Sequence, residues 1–508
     1  MTLFCLYCSS RDNFVVCCVM SPLGNLRCRR LPRIQAGVLL TGLLVSAVVG
    51  QPSVERRFAA RVSQTQLQRV VRQLVSFGNR LGGTASGDRS AAYIQKALRS
   101  FGLKTTIVAD EQHLTYTNER WTLGVQEPDR LRGLVQNAAL AGFSPTVSTQ
   151  TCRVVLLSPK DDVARRLVDG AAVVYDGEVS DELCEDLAKA GARALLLYHS
   201  LPSGAYAQWA MISTLSASEK NPLPVFNIPN SVGVRLRDEV RKGTSLKVRF
   251  NTRTNIRMGR PKTVIASIPG TTGQYYIVCA HGDADSGGPG ADDNASGVAG
   301  VLELARTFQE MIRNRVLSRP AVGLRFIVWG SEGHSTECYV TRHADGLDSI
   351  AGVINFDEIG FGKTRDCLYV EGNDYDVNRP LLTVFQSVLE MYAGRSGFWR
   401  EATTNPSQGG TDSYVFLPRG LRRLGVRSVD IPSVTVFTAA WNVPRSLLQT
   451  RGWLSKAWKG HPDSVSIDYS PYYHSTLDIP RLTTDKEPFN MVWAVKASGI
   501  ALLRLAWK

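Results

Sequence analysis

The sequence His-Gly-Asp-Ala-Asp-Ser-Gly-Gly-Pro-Gly-Ala-Asp-Asp-Asn fills positions 281–294 and concentrates histidine, carboxylates and glycines in one short segment. It follows the apolar run 275–280, which predicts a strand, and it precedes a helical pattern. Histidine nitrogen and carboxylate oxygen are the ligands that zinc takes outside all-cysteine sites. Because glycines let the two ends of the segment fold toward one point, the segment predicts a metal site rather than an acidic surface turn.

Three further segments place a ligand-type side chain after an apolar run or in a loop. The apolar run 324–329 is followed by Glu332, and the apolar run 352–356 is followed directly by Asp357. His474 lies near the C-terminus. Sites in open α/β sheets form at the carboxyl ends of the strands. Convergence of these segments would give a site of two histidines and several carboxylates. Taken alone, Asp357 is equally well explained as a helix cap, and His474 as a structural loop histidine.

The order of these motifs resembles the co-catalytic zinc aminopeptidases and their carboxypeptidase relatives over roughly residues 60 to 508. The segment Gly-Ala-Asp-Asp-Asn-Ala-Ser-Gly at 290–297 carries most of the likeness. The strand followed by Glu332, the Asn-Phe-Asp at 355–357 and the Tyr-His-x-x-x-Asp at 473–478 follow in the expected order. The resemblance implies an α/β fold with a mostly parallel or mixed central sheet and helices on both faces.

The resemblance also implies roles for the residues of the site. Asp293 would bridge two zinc ions, His281 and Asp357 would complete the shell of one, and His474 would bind the other. Asp283 would orient the ring of His281, as carboxylates behind metal-bound histidines do. The implied activity is that of a zinc exopeptidase, in first place an aminopeptidase, which hydrolyses peptide substrates through a metal-activated water.

One position departs from the family pattern. The family has two adjacent glutamates after this strand, the first a general base and the second a zinc ligand. Here Glu332 matches the first, and Gly333 occupies the ligand position. We therefore expect Glu332 to act as the base, with one zinc held by fewer protein ligands. The alternative is that Glu332 binds metal and that Glu337, Glu358 or His334 serves as base.

Beyond residues 1–50, the chain divides into three stretches. Residues 51–149 begin the peptidase domain, and residues 256–508 complete it. Residues 150–255 contain their own alternation of strands and helices and look like a protease-associated domain inserted into the peptidase. The alternative is a further βαβ unit of the main sheet. Within the last stretch, a helix is expected from Ser296, as a plausible N-cap, to about Ile312, and another over Phe489–Leu505.

Residues 1–50 resemble a secretion signal or an over-extended N-terminus with Met20 as the initiator. Arginines precede the apolar stretch 36–49, and Gly50-Gln51 follows it. The apolar stretch is short for a membrane span, which needs about 20 residues. We expect a secreted or periplasmic protein that begins near Gln51 and has no stable membrane span after cleavage. An uncleaved membrane anchor is the alternative.

Composition narrows the classes of function. The formal net charge is +14, spread over a large body, and no basic run alternates with aromatics as in a nucleic-acid groove. Nucleic acid is therefore not an expected partner. An odd number of cysteines after Cys28 leaves at least one thiol unpaired in an exported body. Two other functions stay open: a single-zinc acyltransferase similar to glutaminyl cyclases, which the Gly333 departure favours, and a non-catalytic binding protein of the same fold.

Overall fold

The computed structural model describes residues 53–158, 167–198, 214–284, 288–361, 367–372, 376–405, 411–426, 429–438, 440–442, 466–468 and 472–508, and three short strands before residue 33. These strands are β1 (Leu3–Phe4), β2 (Phe14–Met20) and β3 (Leu26–Pro32), which pair antiparallel within a separate unit, Met1–Arg57. The predicted signal core, 36–49, lies outside the described residues.

The second unit, Phe58–Lys508, contains two large mixed sheets and most of the helices. The described α-helices of the chain are α1 (Val54–Ala59), α2 (Gln64–Val75), α3 (Ala85–Ser100), α4 (Asp181–Lys189), α5 (Asn230–Arg241), α6 (Gly297–Arg313), α7 (His334–Arg342), α8 (Arg379–Tyr392), α9 (Pro418–Arg423) and α10 (Phe489–Ala506). The strands after residue 57 are β4 (Lys104–Ala109), β5 (His113–Glu127), β6 (Ala139–Leu140), β7 (Val147–Leu157), β8 (Ala171–Asp176), β9 (Ala194–Tyr198), β10 (Val225–Asn227), β11 (Lys247–Gly259), β12 (Lys262–Ile268), β13 (Tyr275–His281), β14 (Gly323–Trp329), β15 (Ile350–Phe356), β16 (Cys367–Glu371), β17 (Glu401–Asn405), β18 (Ser433–Phe437), β19 (Ala440–Asn442) and β20 (Ser466–Asp468).

The central sheet has eight strands in the order β17-β16-β18-β15-β13-β14-β12-β4. Its middle strands β14, β13, β15 and β18 run parallel, while β12, β4 and the β16–β18 pair add antiparallel neighbours. The middle strands are almost entirely buried, which explains why they are continuous apolar runs rather than alternating ones. The prediction of a mixed α/β sheet is confirmed.

Helices cover both faces of this sheet. Ile277 and Cys279 of β13 lie in one buried cluster with Tyr339 of α7 and Leu421 of α9. Helix α6 packs against β13, β14 and β15 and also against α2 and α10, without sharing a residue with that cluster. Successive side chains of a strand point to opposite faces, so the two sets of helices occupy opposite sides.

Helix α6 spans almost the predicted range, but the predicted cap is wrong. Ser296 has helical φ and ψ, and its side chain makes no capping hydrogen bond. The Oδ1 of Asn294 instead accepts the Gly297 N–H at 2.9 Å, while the Ser296 hydroxyl donates to the Asp292 carbonyl at 2.6 Å. The segment around Asp293 and the start of the helix are therefore one hydrogen-bonded unit.

Helix α10 closes the core. Among the described residues it is the helix long and apolar enough to cross a membrane, with a mean hydropathy of 1.2. Because 72% of it is buried inside the protein against α6 and α8, its apolar character is explained by the core. The same composition is typical of a buried helix in a large α/β domain.

The second sheet has seven strands in the order β5-β11-β7-β8-β9-β10-β6. The strands β7 to β10 run parallel, and helices α4 and α5 belong to the same segment of chain. This sheet runs from His113 to Gly259, so it takes in residues upstream of 150 as well as the stretch 150–255. Its long strands β5 and β11 pair with each other. In the chain, β4 of the central sheet comes directly before β5, and β12 of the central sheet comes directly after β11.

Candidate active site

The predicted residues of the site follow three adjacent parallel strands. His281 ends β13 and lies opposite Trp329, the last residue of β14, while Cys279 lies opposite Asn355 of β15. Glu332 comes shortly after β14, and Asp357 directly follows β15. Because neighbouring parallel strands end at the same edge, this register brings His281, Glu332 and Asp357 together.

The side chains meet as the strands predict. One ligand atom each from His281, Glu332 and Asp357 lies within 4.8 Å of the other two. The Nε2 of His281 lies 3.4 Å from Asp293 Oδ1 and 3.4 Å from Asp357 Oδ1. These three residues thus surround a common point from three different segments of the chain.

Asp293 also faces the second histidine. Its Oδ2 lies 2.9 Å from the Nε2 of His474, so its two carboxylate oxygens point to different histidines. This is the arrangement that a bridging carboxylate needs. Gly290 makes the loop possible: its φ is +56°, and a Cβ there would lie 2.3 Å from the Asp293 carbonyl oxygen.

Asp478 holds the backbone of the motif. Its carboxylate accepts the N–H groups of Asp292 at 2.9 and 3.2 Å and of Asp293 at 3.0 Å, and its carbonyl accepts the N–H of Ala291. Asp292 in turn accepts the N–H of Gly360 at 2.8 Å, which ties the motif to the loop after β15. The position of Asp293 is therefore set from both sides.

Arg80 closes the loop between His281 and Asp293. It is almost wholly buried, and its guanidinium donates to the carbonyls of Gly282 at 3.0 Å, Pro289 at 2.6 Å and Gly290 at 2.9 Å. Burial lowers the pKa of Arg80 to about 10, against the raising effect of the charges of nearby aspartates. It stays charged at neutral pH and is the permanent cation of the site.

One carboxylate and one hydroxyl orient His281 and Asp357. The Asp283 carboxylate lies 3.2 Å from Nδ1 of His281 and accepts the Glu332 N–H at 3.1 Å, as expected for the residue that orients this ring. Thr411 donates its hydroxyl to Asp357 Oδ2 at 2.5 Å. Asp357 Oδ1, directed to His281, is buried and has no hydrogen-bond partner in the described part of the chain.

Gly333 lies in a γ-turn between Glu332 and α7. Its φ of +63° and ψ of −55° accompany a hydrogen bond of 2.6 Å from the His334 N–H to the Glu332 carbonyl. The Gly333 N–H donates to Asp412 Oδ1 at 2.9 Å, and so does the Thr336 hydroxyl at 2.5 Å. Gly333 contributes no side chain to the site, and Glu337 pairs with Arg423 instead of turning toward Asp293.

The site is crowded with negative charge. Burial raises the pKa of Asp412 to about 6, although His281 and Thr336 act against it, and raises that of Asp478 to about 7 against the bonds from Asp292 and Asp293. Burial and the surrounding aspartates raise the pKa values of Glu332 and Glu358 well above the usual range, in the first case against the charge of His281.

The pKa values of His281 and Asp293 shift toward the charged form of each residue. Burial alone would lower the pKa of His281, but the charges of Glu332 and Asp357 and the bond to Asp283 raise it well above its usual value. Burial alone would raise the pKa of Asp293, but its bond to His474 and the charges of His474 and His281 hold it below its usual value. A divalent cation would relieve this crowding by taking the place that protons otherwise fill.

The residues present fit a metal ion. Two histidines and two aspartates present nitrogen and oxygen atoms to one region. Asp357 Oδ1, 3.4 Å from His281 Nε2, is buried and has no hydrogen-bond partner among the described residues. A buried carboxylate oxygen without a partner costs on the order of several kcal/mol, which a cation would remove. The donor set of imidazole and carboxylate suits zinc.

Sequence reasoning found the ligand-type residues but not those that fix them. Arg80 precedes the Gly82-Gly83 turn with no motif of its own, and Thr411 and Asp412 lie in a segment without a distinctive pattern. Asp478 was visible only as the last residue of the Tyr-His-x-x-x-Asp motif.

Residues 263–495 match peptidase family M28. This part of the chain belongs to that family. The M28 segment contains every predicted ligand from His281 to His474, and the expected likeness to zinc exopeptidases is confirmed at this level.

Two curated relatives are similar over part of their length. The "Probable lipoprotein aminopeptidase LpqL" of Mycobacterium tuberculosis (strain ATCC 25618 / H37Rv) is 29% identical over 325 residues, 62% of this chain and 59% of that protein. "Aminopeptidase YwaD" of Bacillus subtilis (strain 168) is 25% identical over 268 residues, 51% of this chain and 52% of that protein. The chain thus spans a little over half the length of these relatives.

A solved structure supports the M28 fold. The peptidase M28 precursor of Shewanella amazonensis SB2B is similar over 89% of this chain and 95% of that chain, with a TM-score of 0.63 and 16% identity. At this identity the likeness concerns the fold alone. It covers both large sheets, because 89% of the chain exceeds the M28 segment by far.

Asp478 provides a test of how the site is held. We expect Asp478→Asn to weaken zinc binding by about 10- to 100-fold, the scale seen for residues behind metal ligands. The amide has one acceptor oxygen, so the N–H groups of Asp292 and Asp293 can no longer both bond to a carboxylate. Calorimetric titration with zinc measures the change.

Asp376→Asn is the matched control, because its side chain is 93% exposed and its ion-pair partner in the described part of the chain is Arg379. It should bind zinc as the parent does. Equal zinc affinity of the Asp478 variant and the control would show that the motif is held without Asp478.

Proposed function

We propose that the protein is a zinc-dependent aminopeptidase that releases N-terminal residues from peptides. The observation that carries the proposal is the placement of His281 Nε2 at 3.4 Å from both Asp293 and Asp357, with His474 on the far oxygen of Asp293. His281, Asp357 and Asp293 would hold one zinc. Asp293 and His474 would hold a second.

The zinc ions and the protein side chains would have different roles in the reaction. Zinc in such a site polarises a carbonyl oxygen and makes water acidic enough to attack at neutral pH. Asp283 keeps the His281 ring in one orientation and tautomer through its contact with Nδ1. Thr411 does the same for Asp357 by holding Oδ2, which leaves Oδ1 for the ion.

Glu332 is the proposed proton carrier. Its carboxylate lies beside His281 and Asp357, and its backbone N–H is anchored on Asp283. It would take a proton from the attacking water and deliver it to the nitrogen of the leaving amine. The raised pKa of Glu332, which burial causes, suits a group that must be protonated and deprotonated within one turnover.

Glu358 is the proposed anchor for the free amino group of the substrate. Its Oε1 is buried and without a hydrogen-bond partner among the described residues, next to the ligand Asp357. Its backbone has φ +48°, and its carbonyl accepts both the N–H and the hydroxyl of Thr438 at 3.1 Å. An ammonium group would satisfy this carboxylate, whereas a substrate carboxylate would be repelled, which favours amino-terminal over carboxyl-terminal cleavage.

The two proposed metal positions differ in their number of protein ligands. The position at His474 has two protein ligands, since Gly333 supplies none. A single-zinc acyltransferase similar to glutaminyl cyclases is therefore the second candidate function. It would act on an N-terminal glutamine without releasing a residue.

We also propose export and a separate insertion. The N-terminal pattern and the word lipoprotein in the name of the relative LpqL both support an extracellular or envelope location. The inserted domain stays a prediction. The second sheet supports a body distinct from the central sheet, although its strands begin at His113 rather than at residue 150.

A substrate panel tests the function. We expect the purified protein to release leucine from a leucine amide or p-nitroanilide and to leave N-acetylated substrates intact. A chelator should abolish the release, and added zinc should restore it, because the proposed reaction needs a metal ion to activate the attacking water. Cyclisation of N-terminal glutamine without leucine release would favour the second candidate, and full activity without metal would exclude both.

Glu332→Gln separates the proton carrier from a metal ligand. We expect the variant to keep its zinc content and to lose turnover by about 10²–10⁴-fold, the usual share of general acid–base catalysis. The amide removes the base and leaves the histidines and aspartates in place. Metal analysis and turnover on one preparation decide: the loss of about one zinc per chain would identify Glu332 as a ligand.

Glu358→Gln tests the amine anchor. We expect KM for leucine p-nitroanilide to rise about 10- to 100-fold, because a hydrogen bond to a charged group contributes about 1.5–3 kcal/mol. Zinc content should not change. Glu390→Gln on the exposed surface of α8 is the control and should keep the parent KM. An unchanged KM in the Glu358 variant would place the amine elsewhere.

A further inference from the structure

A pocket opens beside Glu332 that the ligand set does not use. It has a volume of about 270 Å³ and is lined by Glu332, Gly333 and Asp283 at its inner end and by Glu337 and Arg423 farther out. Ligand pockets for whole small molecules span about 300–1,000 Å³, so this space suits a single amino-acid residue. Tyr414 and Val415 add a wall.

The position of the pocket indicates which residue it receives. Under the proposed function, on which this inference rests, Glu332 delivers a proton to the leaving amine. A pocket whose wall includes Glu332 therefore lies on the leaving side of the cleaved bond. The residue that follows the bond would enter it, while the N-terminal residue would lie toward Glu358.

Arg423 is the cation among the residues that line this pocket. It ends helix α9, and its side chain is 61% exposed. One of its terminal nitrogens, Nη2, donates to Glu337 Oε1, and no other hydrogen bond of its guanidinium exists within the described residues. A guanidinium has five N–H donors in a planar fork, so it can hold Glu337 and bind a second carboxylate at the same time.

The acids of the pocket do not compete equally for a substrate. Asp283 is buried and already bonded to His281 and the Glu332 N–H, and Glu337 is paired with Arg423. Helix α9, with the sequence Pro-Arg-Gly-Leu-Arg-Arg, carries three arginines and no acid. The N–H donors of Arg423 that Glu337 does not use therefore favour an anion over a cation at the outer end of the pocket.

We propose that Arg423 determines specificity for the residue on the leaving side of the bond and selects one that bears a carboxylate. The carboxylate can belong to an acidic side chain or to the free C-terminus of a dipeptide, because both offer the same planar group to the guanidinium. Glu337 competes with the substrate for the same cation and moderates this preference.

Three peptides distinguish the two sources of the carboxylate. Leu-Gln-NH₂ has none, Leu-Glu-NH₂ has one in the side chain, and Leu-Gln with a free terminus has one at the end of the chain. With the zinc-loaded full chain, we expect kcat/KM to be about 5- to 20-fold higher for at least one carboxylate peptide than for Leu-Gln-NH₂, because the bond to Arg423 is charge-assisted but partly exposed. Whichever peptide is preferred identifies the source.

Three variants test the residues. Arg423→Gln should bring the ratio close to one, and Glu337→Gln should raise it about two- to fivefold because the internal competitor is gone. Arg422→Gln is the matched control on the same helix. It does not line the pocket and at physiological salt should keep the parent ratio. Thermal unfolding of each variant confirms that it is folded.

The possible results distinguish a failure of the aminopeptidase function from a failure of the role of Arg423. No leucine release from any of the three peptides would overturn the aminopeptidase function and this inference with it. Leucine release with equal kcat/KM for all three, or an unchanged ratio in Arg423→Gln, would overturn only the role of Arg423. A Glu337→Gln variant with a lower ratio would show that the ion pair merely supports the fold, which also contradicts the proposal.

Discussion

The crowding of carboxylates around one buried point is the constraint on which the site depends. Each ionised carboxylate removed from water costs several kcal/mol unless donors or cations compensate it. Asp478, Asp292 and Asp412 each obtain at least one backbone or hydroxyl donor. One oxygen each of Asp292, Asp412 and Asp357 is nevertheless buried without a hydrogen-bond partner among the described residues. Hydrogen bonds thus compensate these acids only in part, and under the proposed function a metal ion would relieve the remaining negative charge.

Arg80 shows how the loop is kept in place without neutralising the ligands. A buried arginine could pair with an aspartate, but here its donors go to three loop carbonyls. Its positive charge still acts on Asp283, Asp478 and Asp293 through space. Because Arg80 comes from the turn between α2 and α3, the first part of the peptidase domain stabilises a loop about 200 residues away in the chain.

The sequence was most informative where one segment determined the outcome. Apolar runs that end in His281 and Asp357 predicted strands and ligands together, because in a parallel sheet burial and strand direction are linked. The prediction that Ser296 caps helix α6 is wrong because its hydroxyl donates backward to the Asp292 carbonyl, and spacing alone does not reveal this bond. Helix α3 begins at Ala85, where the Thr84 side chain accepts the Gly87 N–H as a cap.

What could not be predicted depends on contacts between distant segments. Thr411 meets Asp357, and Asp412 meets Gly333, only after the chain has returned to the sheet edge through α8 and β17. Neither residue has a periodic or spaced signal. The same holds for the second sheet, whose long pairing of β5 with β11 joins segments more than 100 residues apart and sets its beginning at His113.

Gly333 links the metal site to the neighbouring pocket. Space does not exclude a side chain there, because nothing lies within 4 Å of an added Cβ. The backbone conformation disfavours a side chain at this position, because a γ-turn with positive φ is strained for any residue with a Cβ. Straightening the turn to present a glutamate would break the bonds of the Gly333 N–H to Asp412 and of the His334 N–H to Glu332. The turn that deprives the His474 side of a third ligand is therefore the one that keeps the wall beside Glu332 open toward Arg423. Under the proposed assignment, the unequal metal positions and the selection of the leaving residue have one structural origin.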